Sequence, residues 1–101
     1  MTEEDKRRVP EGGAWYRPYC VIVDGGTESG YEIVRQGAVN GFCRTTDESS
    51  ARQICGSVNA CICQRQVTAD AEAGVNVTDI LGGSFAEHQF WMEYLRDAKG
   101  K

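Results

Sequence analysis

The chain has 101 residues, with 11 Lys and Arg against 15 Asp and Glu, a net charge of −4, one His, five Cys, 12 Gly and 41% apolar residues. That length supports one small domain with a modest core, and is short for Rossmann or barrel architectures built around large cofactors. The acidic balance argues against direct nucleic-acid binding, whose affinity comes mostly from neutralising phosphates with Lys and Arg.

Residues 1–13 join a charge run to Pro10, Gly12 and Gly13. They are expected to form a flexible arm, because so little apolar surface cannot offset the entropy of ordering it. Residues 14–98 are expected to be a single domain and residues 99–101 a disordered tail. Residues 15–23 are apolar, aromatic and β-branched and end at Asp24, Gly25 and Gly26, which predicts a first strand and a turn. After a hairpin loop through Gly30, residues 31–36 form a second strand, 37–41 a turn and 42–45 a third strand. Connections this short favour an antiparallel meander.

Thr45 and Glu48 stand in capping-box spacing and open a long helix. Its apolar positions Ala51, Ile54, Cys55, Val58, Cys61 and Ile62 recur at three- and four-residue steps, which predicts one buried stripe lying on the sheet. The helix fades between Gln66 and Gly74. Val75 and Val77 then alternate like a short strand, and Gly82 and Gly83 end that segment. Ser84 and Glu87 form a second capping box, followed by an amphipathic C-terminal helix with His88, Trp91, Met92 and Leu95 on one side and Tyr94 flanking. The expected fold is α+β: a three-stranded antiparallel sheet, one long helix packed on it and a C-terminal amphipathic helix. In the first strand Tyr19, Val21 and Val23 alternate with Cys20 and Ile22, so both faces carry apolar side chains. The long helix covers one face; the C-terminal helix, a second copy of the chain or a partner must cover the other.

Reactive centres find little support. Cys61 and Cys63 diverge on a helix and no Cys-x-x-Cys pair exists, so no metal site is expected, and Cys55 and Cys61 read as small buried hydrophobes. His88 has no evident nucleophile and orienting group beside it. Gly25, Gly26 and Gly30 lack the Lys and Ser/Thr of a phosphate loop. The chain is therefore expected to be non-enzymatic, with no cofactor. The five thiols fit a reducing cytoplasm, and no apolar run is long enough to span a membrane or pattern a signal peptide.

What remains is surface. From Gln66 through Leu95 there is no Lys or Arg, while Asp70, Glu72, Asp79, Glu87 and Glu93 fall inside. These five carboxylates form the candidate partner-binding surface, together with Phe90, Trp91 and Tyr94, whose residue types dominate interface anchors as well as cores. Phe90 is placed away from the stripe of Trp91 and Leu95. The expected partner is a basic nucleic-acid-processing complex. The alternatives are a homodimer joined through Phe90 or Trp91, and a nucleic-acid module using the sheet with Arg17, Arg35 and Arg44.

The three strands and capped helix of residues 19–62 resemble the arm-type DNA-binding domains of tyrosine recombinases, departing from them in Glu28 and Glu32 beside Arg35 and Arg44. Residues 31–59 form a hairpin, Gly41 and Phe42, a Thr, Asp, Glu helix start and a Val, Asn, Ala helix end. This run is similar to small accessory proteins of phages and mobile elements, a class that includes anti-CRISPR and other anti-defence inhibitors. The resemblance implies an acidic protein of the host cytoplasm that occupies basic sites of defence complexes, and it transfers no functional residue.

Overall fold

A computed structural model describes residues 1–74 and 83–99. The segment read as a short strand around Val75 and Val77, Asp79 within it, and Gly100 and Lys101 of the expected tail lie outside the described residues. The chain folds as α+β in the order α1 (Glu3–Arg7), β1 (Ala14–Val23), β2 (Gly26–Arg35), β3 (Gly41–Thr45), α2 (Glu48–Glu72) and α3 (Ser84–Lys99). The sheet is an antiparallel meander, β1-β2-β3. In its register Tyr16 faces Ile33, Arg17 faces Glu32, and Glu32 faces Arg44 on the far side.

The first hairpin is longer than the sequence suggests. Gly26 and Gly30 belong to β2 rather than to a loop, and the turn is only Asp24 and Gly25, with Val23 facing Gly26. Gly25 adopts φ +89°, a conformation that favours glycine. β3 pairs only with residues 31–34 of β2. The distal part of the hairpin is therefore a two-stranded ribbon in which Cys20, Ile22 and Val23 are exposed.

α2 is the central element, packing on the sheet with one flank and on α3 with the other. Ala51 and Cys55 join Ala14, Tyr16 and Ile33 in one core cluster, with Ile54 and Val58 at its margin. Ala60 and Cys63 join Val9, Trp91 and Tyr94 in the second. The single stripe expected from the larger apolar residues is thus corrected to two adjoining stripes, and Cys61 is exposed rather than buried. The reason is steric. Gly56 lets α3 come close, since a Cβ there would meet Tyr94 and Leu95 at 3.3–3.4 Å, so small residues define the second stripe.

Neither capping box forms. Asp47 caps α2, its Oδ2 accepting from the Ser50 amide at 2.8 Å and its Oδ1 from the Ser50 hydroxyl at 2.9 Å. These bonds hold the Asp47 carboxyl below the usual carboxylate range. Glu48 is left to accept from the Tyr16 hydroxyl at 3.0 Å and the Tyr31 hydroxyl at 3.5 Å, tying the helix start to the sheet. Ser84 is already the first residue of α3 and donates to Asp70 Oδ2 at 2.6 Å, bracing α3 against the end of α2.

The expected flexible arm is packed. Thr2 caps α1 by accepting from the Asp5 amide at 3.1 Å, Val9 is buried in the second core cluster, and Met1 contacts both clusters. Arg8 lies 4.0 Å over the Phe90 ring, pairs with Glu87 at 3.3 Å, and its carbonyl accepts from Trp91 Nε1 at 3.3 Å. Composition missed this because Val9 and Arg8 find their partners about 80 residues along the chain.

The core thiols and phenols make stability depend on alkaline pH. Burial pushes the Cys55 thiol from its usual value near 9 up to about 12, and burial likewise raises the Tyr94 and Tyr16 phenols. The unfolded chain releases the Cys55 proton above about pH 9 while the folded chain keeps it, so stability falls as pH rises from about 9 towards 12. Urea unfolding between about pH 8 and 11 is expected to show this decline, and Cys55→Ala is expected to make it shallower.

Candidate partner-binding surfaces

Of the eight residues proposed as a binding surface, Asp79 lies outside the described residues, and the structure separates the other seven. Trp91 is 0% exposed and Tyr94 is buried, both facing α2, so neither is available to a partner. They are core because α3 packs on α2 rather than over the sheet. Phe90 is corrected too: it stacks edge-on against Trp91 at 4.8 Å between ring centroids and lies beneath Arg8. Of the carboxylates, Asp70 accepts from Ser84 and from Gln66 Nε2 at 3.0 Å, and Glu87 is paired with Arg8. Glu72 and Glu93 are exposed. The acidic stretch is thus partly spent on internal bonds.

α3 presents a different set outward. Phe85 is 39% and Met92 is 44% exposed, seven residues and two helical turns apart on the side turned away from α2. Glu93 borders them, and Arg96 lies one turn beyond Met92. The sequence placed Met92 on the buried stripe. The i, i+7 spacing of Phe85 and Met92 was the signal for a second apolar stripe on this helix.

The outer sheet face is occupied by its own side chains. Arg17 reaches Glu32 at 3.2 Å and Arg44 reaches the same carboxylate at 3.8 Å. Arg44 also covers Tyr19 at 4.6 Å, and Lys6 covers Trp15 at 4.2 Å. The β2–β3 loop folds over this face, held where Arg17 Nη2 donates to the Val39 carbonyl at 3.0 Å. Arg35 points elsewhere and donates to the Gly12 carbonyl at 2.9 Å. Exposed pairs of this kind contribute little to stability, yet Glu32 offsets part of the positive charge that the face could offer to phosphates.

An open cleft of about 520 Å³ lies between the N-terminal segment, α2 and α3, lined by Arg7, Arg8, Pro10, Ile62, Cys63 and Glu87 among others. Arg8 and Glu87 in its lining pair with each other, and its Cys63 thiol is pushed up by burial, away from the reactive thiolate form. Among the described residues no group of three or more His, Cys, Asp or Glu is placed to hold a metal ion, and no helix is long and apolar enough to cross a membrane. No family model, curated protein or solved structure matches the chain.

Proposed function

We propose that this chain is a non-enzymatic protein-binding module, an acidic inhibitor of the kind encoded by phages and mobile elements, that engages a basic site on a host nucleic-acid-processing complex. The observation that carries this reading is α3, which has apolar side chains on two sides while α2 covers only one. Phe85 and Met92 supply an apolar ridge, and methionine adapts readily to a partner surface. Glu93 beside them, and the net charge of −4 on the whole chain, select a partner whose apolar shelf is bordered by Lys and Arg. The binding surface thus stays on the C-terminal helix, moved from Phe90, Trp91 and Tyr94 to the opposite side of it. The sheet offers less to nucleic acid, because Arg17 and Arg44 converge on Glu32.

The test is capture of partners from bacterial lysate by the tagged chain, alongside the double variant Phe85→Ser, Met92→Ser and the single variant Glu93→Lys. The double variant is expected to keep its circular dichroism and melting curve, since both side chains are exposed, and to lose the captured partner at least about tenfold, equivalent to 1.4 kcal/mol. Glu93→Lys is expected to lower capture most at low salt. A partner retained equally by all three proteins at every salt concentration would overturn the reading.

A further inference from the structure

β1 is an outer strand of the sheet, so among the described residues one side of its backbone has no strand beside it. Two observations show which residues turn to that side. The Gln36 amide donates to the Gly13 carbonyl at 2.8 Å, in line with the β1–β2 register, which makes the odd-numbered residues of β1 the ones bonded to β2. Ala14, an even-numbered residue, instead turns its backbone outward, where Asn59 of α2 meets both groups. Asn59 Oδ1 accepts from the Ala14 amide at 2.7 Å and Nδ2 donates to the Ala14 carbonyl at 2.9 Å. The side-chain amide stands in for a neighbouring strand and closes the edge there.

Further along, none of the described residues closes it. Pro18 has no N–H to offer, and Cys20 and Ile22 then turn free N–H and C=O groups outward with no partner among the described residues. Natural edges are blunted by charge, proline or shortness. Here Pro18 and Asp24 stop the window at its two ends, and between them lie only Tyr19, Cys20, Val21, Ile22 and Val23, uncharged and strand-favouring. Ile22 is 90% exposed. The same residues belong to the ribbon beyond β3, and two strands alone are marginal in water.

We infer that this window joins two copies of the chain, β1 to β1, antiparallel about a two-fold axis at Val21. A two-fold contact must complement itself, and this one does. Cys20 faces the second copy's Ile22 and exchanges both backbone bonds with it, Tyr19 faces the second copy's Val23, and Pro18 faces the second copy's Asp24. Neither the missing donor nor the charge enters the centre. An uncharged window does not select a partner of opposite charge, whereas its symmetry about Val21 matches another copy of itself. The product is one continuous sheet of six strands, three from each copy, in which the ribbon region has four strands in place of two. No residue of α3 takes part, so the inference stands apart from the proposed function.

Sedimentation equilibrium of the full chain is expected to give twice the 11.1 kDa chain mass as concentration rises. Ile22→Lys places a charge beside the centre and is expected to weaken association at least about tenfold, with an unchanged melting curve at concentrations where both proteins are monomeric, while Phe85→Ser, Met92→Ser leaves the mass as it is. A second readout needs no loss of function. In a Cys20→Ser, Cys61→Ser background, Val21→Cys is expected to give a covalent dimer on mild oxidation, because the two Val21 positions face each other as a non-hydrogen-bonded pair within disulfide reach. Thr27→Cys, on β2, is expected to give none. A monomeric mass into the millimolar range, or a dimer indifferent to Ile22→Lys that forms no link through position 21, would overturn the inference.

Discussion

Replacing Asn59 with leucine is expected to lower the unfolding free energy by about 3–5 kcal/mol, although leucine branches at the same carbon, with the same number of side-chain heavy atoms, and is better suited to a helix interior. Asn59 is 0% exposed and sits in the middle of α2, where it meets both backbone groups of Ala14, itself fully buried. Leucine leaves that amide and carbonyl without partners and without water, and each orphaned group costs about 1–3 kcal/mol. A domain of this size has only about 5–15 kcal/mol in total, so the loss is visible as a large shift of the urea midpoint followed by circular dichroism. Asn59→Asp separates hydrogen bonding from shape. A neutral carboxyl can both donate and accept here, whereas the ionised form only accepts and carries a buried charge. Its pKa in the folded state is therefore raised above the unfolded value near 4, and the variant is expected to be most stable below that value and to weaken as pH rises through the folded pKa. A variant equally stable at acid and neutral pH would show that the Ala14 bonds carry no weight.

Trp91→Ala is expected to destabilise the chain by about 3–5 kcal/mol and to release the N-terminal segment. Trp91 is the largest fully buried side chain, it packs with Val9, Ala60, Cys63 and Tyr94, and its Nε1 donates to the Arg8 carbonyl. Removing it opens a cavity at the meeting point of α2, α3 and the segment after α1. Trypsin should then cut after Lys6, Arg7 or Arg8 much faster than in the unaltered chain, under conditions where the remainder stays folded. Trp91→Phe keeps most of the packing but not the hydrogen bond, and is expected to lose about 1–2 kcal/mol. Unchanged proteolysis of Trp91→Ala at a clearly lower melting temperature would mean that the segment is held by Val9 and Met1 instead.

The elements that alternate or repeat within themselves were legible in the sequence. β1, β3 and α2 follow from periods of two and of three to four, and the meander follows from the short connections between strands. The distal half of β2 was not legible, because Thr27, Glu28 and Ser29 stand in a ribbon with solvent around it and carry no apolar alternation. α2 looked one-sided because its second stripe is built from Gly56 and Ala60, residues whose contribution is the absence of bulk. The candidate surface fared worse for a related reason. Asp70 and Glu87 look like free acidic groups until Ser84 and Arg8 arrive from elsewhere in the chain, and Trp91 exchanges interface for core once α3 chooses α2 as its neighbour. Asn59 read as a helix end, since nothing local distinguishes a polar residue that terminates a helix from one that reaches across to another element.

That one helix supplies a flank to each of two apolar clusters has a bearing on how the molecule comes apart. Once α2 is lost, the sheet and α3 keep only the few apolar side chains of the N-terminal segment and Trp15 against their clusters, so the two halves are thermodynamically yoked: melting either one removes most of the wall that the other leans on. Damage at Trp91 therefore weakens the meander, and damage at Ile33 weakens the grip on α3, although those side chains belong to different clusters.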